Sequence, residues 1–248
     1  SGCKVLQETT DLIPLAPIFL KAWTVSLRRH FRSGWRACHL IRTIVNGIQI
    51  LLIKMLTTFY RRAVVVVRPI GEVIPELAPR LPIVITLLRE EDLPAYFQLR
   101  PHQDPNMIKR RLANGDQCFA VWRQGLIVHS TWAATEQGYV PYLRRYLILK
   151  PEEIFFYDGF TLPIYRNCKL AQARGIYAFQ HYLRLGYRRA IAVVALENKA
   201  GLGVPNALGY HPIGLYACLR LGPWQWDWEE RWGEELLPIS KKIGTRKR

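Results

Sequence analysis

Residues 161–172, Thr-Leu-Pro-Ile-Tyr-Arg-Asn-Cys-Lys-Leu-Ala-Gln, join an apolar run to a helical pattern. Ile176, Phe179 and Leu183 recur at i, i+3 and i+7, which predicts a helix from about Lys169 to Leu185 with one face buried. The start of such a helix leaves the amides from Lys169 to Gln172 without partners and carries the positive end of the helix dipole. Arg166 and Lys169 add formal charge at the same point. The chemistry this suits is anion binding, although the residues alone fit a phosphate loop and a plain strand–helix connection equally. Loops that cradle phosphate usually contain glycine, which lets the backbone come close. This turn contains none.

Asp158 is a second candidate. It lies in the apolar run that ends at Pro163, among Phe155, Phe156 and Phe160, a setting that suits a carboxylate whose task is to take up a proton. The competing reading is an ion pair with a nearby arginine. Glu152 and Glu153, just before the run, read as a solvated turn, and His129 and His211 read as packed or rim residues. The five cysteines (Cys3, Cys38, Cys118, Cys168 and Cys218) are scattered, and no Cys-x-x-Cys or His-x-x-x-His spacing occurs, so neither a metal site nor a disulfide framework is indicated.

The elements that must position these residues follow from the apolar period. "IVITLL" from Ile83 predicts a strand, and "EEDLPAYFQL" a helix with Asp92 as N-cap and Pro94 in the first turn. "PNMIKRRLANG" predicts a second helix ending at Gly115. "CFAVWRQGLIVHSTWAAT" predicts a hairpin turning at Gln124-Gly125. A strand up to Pro163, the helix from Lys169, the strand "RRAIAVVA", a short helix near 204–208 and "YHPIGLYACLRLG" complete the series. The order is that of a mixed α/β domain, α+β in its hairpins, with a parallel crossover.

Residues 1–80 differ in composition. Between Leu12 and Gly71 there are ten basic residues and no acidic one. Ile41, Ile44, Val45, Ile48, Leu51, Leu52, Met55 and Phe59 fall at helical spacing, and the proline cluster Pro75, Pro79 and Pro82 reads as a linker. This predicts a basic amphipathic helical region over 1–80 and a second domain over 81–248, with "AVVVVRPI" a strand at the end of the first. The apolar run Ile50–Ile53 is too short to cross a membrane, which needs about 20 residues. The chain's net charge of +16 implies an anionic partner. A cytoplasmic location is expected, with peripheral contact at a membrane surface or homo-oligomer formation through residues 12–71 as alternatives. Nucleic acid is a weaker candidate because no recognised motif frames the basic residues.

Spacing ties the turn to the residues after it. From the turn, 17 residues lead to Gly186, a strand follows, Glu197-Asn198 closes it, and 11 residues later stands Gly209-Tyr210. With Pro163, Tyr165, Arg166 and Ala171, this pattern resembles the GNAT superfamily of acyl-CoA-dependent N-acetyltransferases over roughly residues 83–222. The resemblance implies a central mixed sheet flanked by helices and transfer of an acyl group, acetyl foremost, from acyl-CoA to an amine by direct attack, with no metal. It implies that Asn167, Lys169, Leu170, Ala171 and Gln172, with Arg166 opening the loop, hold the CoA pyrophosphate. It further implies that Phe160, Thr161 and Leu162 pair with the pantetheine arm, that Asn198 contacts it, and that Asp158 is the base. Direct attack leaves no nucleophile role for Cys168.

Two departures stand out. Lys169 occupies the family's first glycine position, where its amide serves if φ is negative. Pro205 occupies the position of the tyrosine acid, leaving Tyr216 or Tyr210 to substitute. Two alternatives follow: an acidic acyl-carrier protein as donor, or a binding module of the same fold without turnover. In "PWQWDWEERW", Trp224, Trp226 and Trp228 alternate on one strand face, which predicts the cover of a core edge or a partner surface.

Overall fold

The structure is a computed structural model and describes residues 60–71, 78–221, 223–233 and 236–240. The helical face expected between Ile41 and Phe59, and any role of residues 12–59 in membrane or subunit contact, lie outside the described residues.

The run Ala63–Val67 is buried on both faces, as a continuous β-branched segment requires. It forms strand β1 (Tyr60–Pro69), which pairs antiparallel with β8 (Arg189–Ala195) on one side and β9 (His211–Leu221) on the other. The domain boundary expected at residue 80 is therefore corrected. The compact unit begins at Tyr60, because a strand apolar on both sides is stable only inside a sheet.

The other strands are β2 (Val84–Leu87), β3 (Gln117–Arg123), β4 (Leu126–Ala134), β7 (Glu153–Thr161) and β10 (Trp224–Arg231). The eight-stranded order is β10-β9-β1-β8-β7-β4-β3-β2. A separate three-stranded sheet is built from β5 (Gln137–Val140), β6 (Arg145–Ile148) and β11 (Ile239–Ser240). These three short strands have no counterpart in the sequence expectation, since four or fewer residues carry too little period to register. The expected hairpin is present, with positive φ at both Gln124 and Gly125, the conformation of a two-residue turn matched to strand twist.

Helices α1 (Leu93–Leu99) and α2 (Pro105–Ala113) cover one face of the sheet, with Tyr96, Leu99 and Ile108 in a core shared with Trp132, Phe155 and Tyr216. Asp92 precedes α1, but its carboxylate accepts from the Arg89 amide behind it rather than from the helix. Helices α3 (Leu170–Arg184) and α4 (Lys199–Ala207) lie on the second face, where Ala178, Phe179 and Tyr182 pack on Val64, Phe119 and Phe156. Fully burying each such aromatic or aliphatic side chain contributes about 1.5–3 kcal/mol. Gly209 has a φ of 74°, and a Cβ there would stand 2.4 Å from the Arg68 guanidinium, so both its conformation and its bareness are required.

The feature that positions the site is a parting of strands. Strands β7 and β8 are parallel, yet they pair only from Glu153↔Arg189 to Phe156↔Ala192. Beyond Phe156, β7 stays with β4 to Thr161 and β8 stays with β1 to Ala195, so a wedge opens between them toward their C-terminal ends.

Candidate functional site

The wedge leaves the β8-facing edge of β7 past Phe156 without a strand to bond. This edge includes Phe160 and Thr161, with Leu162 just beyond, the segment expected to accept an extended ligand. Leu162 donates its amide to Val128 on the far side. The pairing of β7 with β4 slips here: Ser130 faces Phe160 and Trp132 faces Tyr157, so Asp158 and Gly159 together oppose Thr131. This is a β-bulge, which bends the strand and frees backbone polar groups. Asp158 takes the extra position with a φ of 49°.

After Leu162 the chain makes a tight turn over Pro163–Tyr165 and reaches α3 through Arg166, Asn167, Cys168 and Lys169. Asn167 and Lys169 both have positive φ, 62° and 59°. The condition set for the Lys169 amide, a negative φ, is not met: the lysine keeps the left-handed backbone that a glycine would adopt freely. A left-handed residue with a side chain costs roughly 1–2 kcal/mol. Three such residues, Asp158, Asn167 and Lys169, lie within one short stretch at the mouth of the wedge. Lys169 is the N-cap of α3 but contributes no side-chain cap, so the first-turn amides of Leu170, Ala171 and Gln172 have no intrahelical acceptor. Arg166 is exposed, and Lys169 and Cys168 are half-buried.

On the α1–α2 face, Asp158 is clasped by two arginines. Arg100 Nη2 donates to Oδ1 at 2.8 Å, and Arg111 Nη1 donates to Oδ2 at 2.7 Å. Arg111 lies between the rings of Trp132 and Tyr157, and Arg100 lies over Phe160. The apolar surround expected of Asp158 is therefore corrected to a paired one, since the bulge turns its carboxylate toward α1 and α2. Each oxygen still has acceptor capacity after one bond.

Beside this pair is Asp116, whose carboxylate accepts the Tyr157 hydroxyl at 2.6 Å. Burial pushes its carboxyl up to about 6 against the Tyr157 bond and the Arg111 charge, which pull it down. Asp116 was not anticipated, because nothing in "NGDQ" distinguishes it from a turn residue. Tyr142 was missed as well. Its hydroxyl donates to the Val193 carbonyl at 2.5 Å, on β8 immediately after the last residue paired with β7. Burial first, and the Asp158 charge second, push this phenol up to about 12, so it holds its proton at neutral pH.

Two expected residues are occupied elsewhere. Tyr216 is fully buried, and its hydroxyl donates to the Leu237 carbonyl. Burial pushes its pKa above the usual phenol range, and its geometry offers no support for a role as acid. Asn198 stands at the end of β8 as expected, but its Oδ1 accepts from the Gly201 amide and caps α4. Its side-chain amide group has donors to spare. Tyr210 is buried behind α3.

On the α3 face the wedge is backed by polar residues in a position that is apolar elsewhere. His129 is enclosed between Thr161 and Thr131, at 2.8 and 3.0 Å, and burial with the Arg174 charge pushes it down to about 3. Arg174, from the second turn of α3, lies over the Phe156 ring at 5.2 Å. Burial pulls its guanidinium down to about 10.

Glu153 is buried on Arg189 at 2.9 Å rather than in a solvated turn, because β7 begins there. Trp224, Trp226 and Trp228 lie on β10, an edge strand, and are 66%, 47% and 49% exposed, so they do not cover a core edge of the described residues. Two surface hollows, at Tyr60, Leu215 and Trp228 and at Pro69, Pro151 and Arg188, lie away from the wedge, and a third is lined by Ile83 and Ile85 with Ala173 and Tyr177 of α3. Among the described residues no cluster of His, Cys, Asp and Glu could hold a metal ion, and no helix is long and apolar enough to cross a membrane.

An open strand edge and unpaired amides at a helix start, with Arg166 and Lys169 in the connecting loop, suit an extended anionic ligand. No protein-family model and no curated protein matches the chain. Solved structures do resemble it in fold. A GCN5-related N-acetyltransferase from Sphaerobacter thermophilus is 17% identical with a TM-score of 0.47, over 75% of this chain and 58% of that one. An aminoglycoside 6'-N-acetyltransferase from Acinetobacter baumannii is 16% identical with a TM-score of 0.43, over 52% and 91%. A conserved protein of unknown function from Staphylococcus epidermidis is 14% identical with a TM-score of 0.43, over 68% and 65%.

Proposed function

We propose that the protein is an N-acyltransferase that moves an acyl group, acetyl foremost, from acyl-CoA to an amine by direct attack. The observation that carries this reading is the parting of β7 and β8 directly beneath the start of α3, where Asn167 and Lys169 keep a glycine-like backbone without glycine. Strain of this kind is retained where the backbone shape itself is used.

In this reading the open edge of β7 from Gly159 to Leu162 holds the pantetheine arm as an added strand would be held. The first-turn amides of α3 take the pyrophosphate, and a backbone group freed by the bulge at Asp158-Gly159 faces the thioester oxygen. The acceptor amine enters from the α1–α2 face. Asp158 is oriented by Arg100 and Arg111 and receives the ammonium proton through its remaining acceptor positions, with Asp116 completing the acidic side of the site. Tyr142, less buried than Tyr216 and at the wedge, turns its hydroxyl from the Val193 carbonyl to protonate the departing thiolate, and water returns the proton to the phenolate, the task expected of Tyr216.

Thermal-shift titration with acetyl-CoA and longer acyl-CoAs tests donor use, followed by detection of released CoA thiol against a panel of amines. The melting temperature is expected to rise with an acyl-CoA, and thiol to appear only when an amine is also present. If no acyl-CoA stabilises the protein, the reading fails. Stabilisation by phosphopantetheinylated carrier protein alone would move the donor to the carrier.

A further inference from the structure

An acceptor amine arrives at neutral pH mostly as an ammonium, and the carboxylate that is to take its proton is already paired. Asp158 holds Arg100 at 2.8 Å and Arg111 at 2.7 Å, and the three side chains are 19%, 16% and 14% exposed. Within this half-buried group two carboxylates, Asp158 and Asp116, balance two guanidiniums. A bare ammonium would add an unbalanced positive charge there, because the attraction of Asp158 is met by the repulsion of both arginines. That cost disappears for an amine that carries its own anion.

Donors for such an anion are in place. A guanidinium has five N–H groups, and each arginine gives one nitrogen to Asp158. No other nitrogen of Arg100 or Arg111 is both buried and unpartnered, so their remaining donors open to solvent. Stacking fixes the direction of approach. Arg111 has the Trp132 and Tyr157 rings at 5.1 and 4.9 Å, and Arg100 has the Phe160 ring at 4.7 Å. Rings over the guanidinium faces leave the in-plane N–H edges as the way in, and such an edge takes a carboxylate fork on fork. Beside those edges each oxygen of Asp158 keeps room for a second donor. A place for an ammonium and a place for a carboxylate thus adjoin, as the two groups do in an α-amino acid, on either side of one carbon.

We propose that the acceptor is an α-amino acid, or an amine with its carboxylate equally close, bound with its ammonium on Asp158 and its carboxylate on the free N–H edges of Arg100 and Arg111. That it is acylated rests on the acyl-CoA reading; recognition of the zwitterion rests on the arginine pair. The ammonium loses one proton to Asp158 before attack and a second as its nitrogen bonds to the thioester carbon. The C–S bond breaks, and of the two protons one ends on CoA as its thiol and the other in solvent.

The test uses the protein amino acids, their α-amides and the matching decarboxylated amines. Calorimetric titration without donor reads binding, and release of CoA thiol from acetyl-CoA reads transfer. At least one amino acid is expected to bind, and to react with a kcat/KM about 10- to 100-fold above its amide and its decarboxylated amine. The amide is the stringent comparison, since its amine is the less protonated of the two. Arg100→Gln should reduce this preference about tenfold, chiefly by raising KM for the acid. The wild-type comparison of substrates stands whether or not that variant folds. Amides or decarboxylated amines used as well as the acids overturn the inference, and so does an Arg100→Gln loss equal on all three. Stabilisation by acyl-CoA with no amino acid bound or acylated overturns the inference and leaves the acyl-CoA reading. Binding of an amino acid that is lost with its carboxylate, without stabilisation by any acyl-CoA, sustains the zwitterion site and overturns that reading.

Discussion

The two faces of the sheet meet the same wedge with differently paired charges. On the α1–α2 face one carboxylate, Asp158, is shared by two guanidiniums, and the group is closed by hydrogen bonds of 2.7 and 2.8 Å. On the α3 face one guanidinium, Arg174, is buried with no carboxylate partner among the described residues. With Asp116 beside Asp158 the first face balances its two guanidiniums, whereas the guanidinium of the second has no carboxylate partner among the described residues. A closed cluster orients side chains, whereas an open one has its stability to gain from a ligand. In the proposed reading the acceptor amine meets the closed cluster of the first face.

The strongest way to break this comparison is the sign of two substitutions. Asp158→Asn removes the anion that two arginines need, and stability is expected to fall by about 3 kcal/mol, as when one partner of a buried pair is removed. Transfer should fall by about 100- to 10,000-fold in kcat/KM, the range of a lost general base. Arg174→Met should shift the melting temperature the other way. Equal signs in a denaturation series would dissolve the distinction between the faces.

Asp116 sharpens the account of the first face through pH. Its carboxyl is raised from the ordinary 3.8 to about 6, so the folded state holds this proton more tightly than the unfolded chain. Its contribution is greatest below about pH 4 and is lost as pH rises through about 6. At about 1.4 kcal/mol per unit the loss amounts to about 2–3 kcal/mol. Asp116→Asn is expected to match the wild type at pH 4 and exceed it at pH 7 in chemical denaturation. An unchanged pH slope would mean that the carboxylate is solvated.

Tyr142→Phe tests whether the wedge is where the leaving group departs. A fall of at least tenfold in kcat with KM little changed is expected, with about 1 kcal/mol of stability lost with the bond to Val193. Equal turnover in both proteins would remove Tyr142 from the chemistry. The smallest effect belongs to Lys169→Gly, which relieves a left-handed residue and should raise stability by about 0.5–1 kcal/mol. In the proposed reading CoA binding weakens as the loop loses this charge; an unchanged affinity in calorimetric titration would remove Lys169 from the donor site.

Much of this was legible in residues met in order. The hairpin at Gln124-Gly125, the helix after Lys169, the strand ending at Pro163 and the anion-suited turn follow from apolar period and turn residues, which act over a few positions. Asp158 was identified as a site residue, and its competing reading as an arginine partner describes its contacts. Its base role assumed apolar neighbours, because strand alternation does not reveal a bulge that redirects one side chain. Tyr216 was chosen for its residue type and proves to be core, while Tyr142, in a turn between short strands, gave no local signal.

The sequence by itself determined the order of elements and the basic, glycine-free turn, since both depend on neighbours in the chain. Only the tertiary structure decided that β1 lies between β8 and β9, and that Tyr142 reaches a carbonyl 51 residues away. It alone decided that Asp158 has two arginines and that Arg174 has no carboxylate among the described residues. Pairing and burial are set by groups distant in sequence, and the cost of an unpaired charge exists only once the fold has excluded water from it.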